Sequence, residues 1–194
     1  MTAYRLTHAQ LERIVASLRG LRITQIDYAL LTGGPDGNDI LEWDYGAFHE
    51  PTMGLQLTSD IGAAFTVTWG SSFGYYSMET HDRTITDLLA RIGEPGGPTI
   101  LAVGHHPRWR HLLGREITNT EAAWIDWVSG DPTICWIRLE FAPADESEHE
   151  PESIWIVSGR WNQDRFHLGS DDVTVIFDRA EAARAKVTAQ TASG

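Results

Sequence analysis

Ser17-Leu18-Arg19-Gly20-Leu21-Arg22-Ile23-Thr24 and His111-Leu112-Leu113-Gly114-Arg115-Glu116-Ile117-Thr118 lie 94 residues apart and share one layout. In each, a leucine stands two residues before a glycine, and Ile-Thr begins three residues after it. That order suits a helix ending at a glycine and passing directly into a strand. The chain of 194 residues therefore divides into two related halves, 1–97 and 98–194, joined at Gly93-Glu94-Pro95-Gly96-Gly97-Pro98.

Outward from the first of these stretches, Thr7-His8-Ala9-Gln10 is a capping box, and Leu11, Ile14, Val15 and Leu18 recur at helical spacing until Gly20. From Leu21 to Leu31 the residues favour a strand, ended by the turn cluster Thr32–Asp39, and a loop carrying Trp43, Tyr45 and Phe48 follows. Leu55 and Leu57, then Phe65, Val67 and Trp69, alternate with polar residues across the turn Ser59–Gly62, which reads as a hairpin with one wet face. Ile85, Leu88, Leu89 and Ile92 predict a helix over 84–92, and Ile100–Val103 a strand closing the first half.

The second half replays this order. A short helix opens at Pro107, strands follow around Ile117–Val128, Ile134–Phe141 and Ile154–Gly159, and Val173–Phe177 closes the set before an alanine-rich helix from Arg179 to about Gln190. The expected fold class is α+β, mainly antiparallel β, with two pseudo-symmetric half-repeats of helix, strand, hairpin and closing strand in one compact body. Strands that come in hairpins, without a glycine-rich phosphate loop between strand and helix, argue against a doubly wound parallel sheet.

Fifteen basic residues against twenty-seven acidic ones give a net charge of −12, shared equally by the halves. Phosphate repulsion disfavours direct nucleic-acid binding, and the acidic surface suits a basic protein partner or plain solubility. No apolar run approaches the length of a membrane span, and Met1-Thr2-Ala3-Tyr4-Arg5 lacks the apolar core of a signal peptide, so a cytoplasmic setting without a membrane partner is expected. One cysteine, Cys135, excludes an internal disulfide and a cysteine-rich zinc site.

Three constellations are candidates for chemistry. Gly70-Ser71-Ser72-Phe73-Gly74 fits the nucleophile-elbow pattern after a strand, making Ser72 an acyl-transfer candidate, although Tyr75-Tyr76-Ser77-Met78 is a poor helix start. His105, His106 and His111 cluster in sequence as candidate metal ligands, but none is paired at the helical spacing that aligns two ligands, and packing is the plainer role. Neither cofactor nor metal is expected.

The third constellation is an asymmetry between the hairpins. Gln56, Thr58, Thr66 and Thr68 face outward in the first half, whereas Trp136, Arg138, Trp155 and Val157 take the outward positions in the second. Two tryptophans and an arginine mark either a face covered by the terminal helix or by the other half, or a partner surface, beside the acidic loop bearing Glu146, Glu148 and Glu150. The expected activity is that of a non-catalytic acidic binding protein, a monomer or homodimer, that occludes a protein partner. Its general character resembles that of toxin-immunity and similar inhibitor proteins, a likeness of type without a shared motif. A serine hydrolase using Ser72 and a homo-oligomeric structural subunit are the alternatives.

Overall fold

The computed structural model describes residues 5–70, 72–73, 77–126, 132–144, 151–163 and 165–187. Among the described residues the short helices are α1 (His8–Ala16), α2 (Ile85–Leu88), α3 (Pro107–Arg110) and α4 (Arg179–Arg184). The strands are β1 (Ile23–Gly33), β2 (Asp39–Ile40), β3 (Phe48–His49), β4 (Gly54–Ser59), β5 (Ala64–Gly70), β6 (Ser77–His81), β7 (Pro98–Ala102), β8 (Ile117–Asp126), β9 (Pro132–Phe141), β10 (Glu152–Asn162) and β11 (Arg165–Ile176). The molecule is mainly antiparallel β with a few short helices.

Two sheets face each other. The first runs β2-β1-β4-β5-β6 with β7 on the free side of β1, and the second runs β3-β11-β10-β9-β8. Alternation along each strand sends Leu55, Leu57, Phe65 and Val67 of one sheet and Ile137, Leu139, Ile154 and Ile156 of the other into one shared core. Helix α1 starts on the expected capping box, Gln10 N–H donating to Thr7 Oγ1 and Thr7 N–H to Gln10 Oε1. It buries Leu11 and Val15 in the same core and lies against β6 and β8.

The two quoted stretches meet at the seam between the sheets. Gly20 N–H donates to Ile117 O and Gly114 N–H to Ile23 O, both at 2.8 Å, and Arg22 bridges Glu116 in antiparallel fashion. Gly20 and Gly114 have φ of +85° and +76°, the left-handed conformation that a helix-ending glycine adopts without steric penalty.

Several elements differ from expectation. β6 was not anticipated, because Ser77, Glu79, Thr80 and His81 are polar yet buried. The helix expected over 84–92 is the single turn Ile85–Leu88: Leu89 is already extended, and Arg91 has φ +60° before the glycine-proline run. The terminal helix ends at Arg184, and the chain turns through Lys186 so that Val187 can be buried. The closing strands also diverge: β7 pairs with β1, whereas Val173–Ile176 is the far end of β11, hairpinned to β10 around Asn162–Arg165.

Candidate functional site

The register of β9 and β10 sets Trp155 opposite Arg138 and Val157 opposite Trp136, so the four share the outer face of the second sheet. That face is covered. Trp136 is 5% and Trp155 4% exposed, packed with Val157 and Ile176 against Ala182, Ala185 and Val187 from α4 and its C-terminal turn. Of the two alternatives for this face, the structure has the covered one, since two indoles bury more apolar area under a helix than in water.

Arg138 sits at the rim of this cover, its guanidinium 3.2 Å from Glu121 and 2.9 Å from Glu140. Arg138 Nε and Trp155 Nε1 are buried donors without a hydrogen-bond partner among the described residues. Both residues line a cleft of about 540 Å³ with Glu140, Glu152, Phe177 and Arg179. Glu146, Glu148 and Glu150 lie outside the described residues.

Ser72 lies in the connection between β5 and β6, an antiparallel pair, so it is not on a strand-to-helix turn; Ser71 and Gly74 lie outside the described residues. Its hydroxyl accepts from Leu6 N–H at 3.1 Å, its N–H donates to Glu79 Oε1 at 2.7 Å, and Glu79 Oε2 stands 3.3 Å from His81 Nε2. The carboxylate thus separates serine from imidazole. A serine nucleophile needs the imidazole adjacent to take its proton, and among the described residues no histidine does so. Burial pushes the Glu79 carboxyl up, but hydrogen bonds from His81 and from the hydroxyl and N–H of Ser72 more than offset it, leaving it below the usual range. Glu79 and His81 line a cleft of about 510 Å³ with Arg13, Trp69 and Arg83.

The three sequence-clustered histidines do not converge. His105 is exposed, and His111 bonds Pro107 O and Glu152 Oε1 at 2.8 and 2.6 Å. His106 caps α3, its Nδ1 accepting from Arg108 N–H at 3.3 Å, and its Nε2 lies 3.1 Å from Asp44 Oδ2. There it meets residues that sequence reasoning missed. His49 is fully buried, with Nδ1 2.8 Å from Tyr28 Oη, which in turn accepts from Trp109 Nε1 at 2.6 Å.

Burial, with His106 and Arg108 adding to it, pushes the His49 imidazole down to about 4, and burial holds the Tyr28 phenol well above its ordinary value. Gly46 N–H, donating to Asp44 Oδ1 at 2.9 Å, is the main cause that keeps the Asp44 carboxyl below its usual range. The only sequence signal for these residues was a loop dense in aromatics around Trp43 and Phe48, which the notion of a plain connection absorbed.

No family model matches the chain, and no curated protein or solved structure matches it either. No helix among the described residues is long and apolar enough to cross a membrane.

Proposed function

We propose that this chain is a non-catalytic acidic binding protein, of immunity or inhibitor type, that works in the cytoplasm by occluding a basic protein partner. Its contact region is the cleft between β9, β10 and the start of α4. The single observation that supports this reading is that Arg138 and Trp155, whose buried Nε and Nε1 have no hydrogen-bond partner among the described residues, both line a cleft that Pro151 and Glu152 also bound. A buried donor without an acceptor is costly, and a carbonyl oxygen from an inserted partner segment relieves it. The sequence over 145–152 carries five carboxylates and no lysine or arginine, a charge that attracts a basic partner. The same proposal takes the halves 1–97 and 98–194 as related half-repeats of helix, strand, hairpin and closing strand, a reading supported by the reciprocal Gly20 and Gly114 hydrogen bonds.

The test is capture from the native cell by wild-type protein, by the Glu146→Gln, Glu148→Gln, Glu150→Gln triple variant and by Trp155→Phe. The expected outcome is one basic protein, captured more slowly and with weaker salt dependence by the triple variant and released faster by Trp155→Phe. Undiminished capture by both folded variants overturns the assignment of the surface. A concentration-dependent homodimer by light scattering, lost in Trp155→Phe, favours the structural-subunit reading instead.

A further inference from the structure

Three ligand-type side chains from distant stretches meet beside Trp43, away from the cleft just described. Asp44 and His49 come from the connection between β1 and β4, and His106 from the turn before α3. One ligand atom from each lies within 4.8 Å of the others. The backbone fixes two of the three. Asp44 and His49 form an antiparallel bridge closed by Tyr45 N–H to Phe48 O at 3.1 Å and Glu50 N–H to Trp43 O at 2.8 Å, with Gly46 at φ +77° in the turn. Residues opposed across such a bridge project to the same side.

We propose that Asp44, His49 and His106 form a two-histidine, one-carboxylate binding site for a divalent first-row transition metal of the zinc or ferrous-iron class. Metal–ligand bonds of about 2.0–2.2 Å set neighbouring ligand atoms roughly 3–3.6 Å apart around one ion. His106 Nε2 is 3.1 Å from Asp44 Oδ2 and His49 Nε2 is 3.6 Å from Asp44 Oδ1, so each histidine stands at such a distance from one oxygen of the shared carboxylate. The second distance is too long for a hydrogen bond. His49 Nε2 is buried with no hydrogen-bond partner among the described residues, and it points to the same carboxylate as His106. An ion between the three satisfies that nitrogen, which no described group does.

The surroundings suit a bound metal. Tyr28 Oη on His49 Nδ1 is the outer partner that orients a ligating imidazole, and Trp109 Nε1 fixes Tyr28 in turn. Ligation through Nε2 leaves the ring proton on Nδ1, so His49 then donates to Tyr28 Oη. His106 exchanges its 3.3 Å cap from Arg108 N–H for the metal bond. Trp43 and Phe177 wall the site with aromatic surface. Two imidazoles against one carboxylate favour a transition metal over calcium or magnesium, and three protein ligands leave a coordination position for water or a small anion.

The test uses the full chain stripped with a chelator and titrated with cobalt(II), whose visible d–d bands report inner-sphere nitrogen and oxygen ligands, followed by displacement with zinc. One equivalent per chain, with a rise in melting temperature, is expected. His106→Ala and Asp44→Asn lower the affinity at least about a hundredfold, and Tyr28→Phe about tenfold by loosening His49. His111→Ala leaves it unchanged. Circular dichroism establishes that each variant is folded, and Asp44→Asn keeps the test decisive if His106→Ala unfolds, because it removes only the charge. Absence of the d–d bands in wild-type protein, or one full equivalent bound equally tightly by the folded variants, overturns the site and leaves His106 as a capping residue hydrogen-bonded to Asp44.

Discussion

The outer faces of the two sheets obey the same alternation and are covered in opposite ways. On the first sheet Gln56, Thr66, Thr68, Glu79 and His81 point outward, and the chain that passes over them is held by hydrogen bonds: Thr66 Oγ1–H to Arg83 O at 2.7 Å and Ile85 N–H to Gln56 Oε1 at 2.8 Å. On the second, Trp136, Trp155 and Val157 point outward and α4 lies on them through Ala182 and Ala185, with Val187 just beyond its end. Thr66 and Trp136 are both buried although both occupy nominally wet positions. Period-two patterning therefore tells which side chains share a face. Whether that face meets water depends on a segment far along the chain, and the polarity of the face decides whether its cover is an irregular strap or a helix with small residues.

The largest expected effect is on the apolar cover. Trp136→Ala removes an indole packed beneath α4 and should lower unfolding stability by about 3–5 kcal/mol, read as the shift in the urea midpoint. A loss below about 1 kcal/mol would break the comparison, because the helix would then contribute little and the tryptophan face would be open to a partner.

What was legible in the sequence follows the same division. The capping box at Thr7, the strands around Leu55–Leu57 and Phe65–Trp69, and the shared outward face of Trp136, Arg138 and Trp155 are local patterns, and they emerged where the spacing put them. β6 and the first part of β11 were hidden because Ser77–His81 and Arg165–Asp172 are rich in polar residues whose strand character comes from pairing with β5 and β10. Of the candidate metal ligands only His106 stood out, as one of three adjacent histidines. Asp44 and His49 reach it through a turn and a sheet pairing, β3 with β11, that no local period encodes. His105 and His111 shared its sequence neighbourhood but point elsewhere, because consecutive residues around a helix start project in different directions.

On the polar cover, Gly70→Ala comes next. A Cβ at Gly70 overlaps the Glu79 carboxylate, so the methyl must displace a buried carboxylate held by Ser72 N–H; a loss of about 1–3 kcal/mol is expected by urea unfolding. Glu79→Gln sharpens the point through pH. Because the native carboxyl titrates below its ordinary value of 4.5, its contribution is present above that pH and is lost as the pH falls through the native value. Wild type should therefore exceed Glu79→Gln in stability at neutral pH, with the gap closing on acidification below 4.5. A gap that is constant with pH would mean that Glu79 acts by shape alone and that the polar face is not electrostatically organised.

The smallest perturbation leaves stability untouched and asks whether the apolar cover opens as a unit. Cys135 lies in β9 among the residues clustered with α4, its Sγ 3.5 Å from Ala123 O, and burial pushes its thiol up to about 11. Since the thiolate is the reactive species, both access and ionisation suppress its reaction with a thiol reagent near neutral pH. Native protein should label at least about a hundredfold more slowly than the denatured chain, at a rate set by local opening. If α4 and the tryptophans open together, Trp136→Ala accelerates labelling by the same free energy that it removes from global stability. If labelling is unchanged while the urea midpoint falls, the thiol is exposed only by a separate fluctuation at the β8–β9 edge. The two outer faces would then differ in composition but not in how tightly their covers are coupled to the sheet beneath.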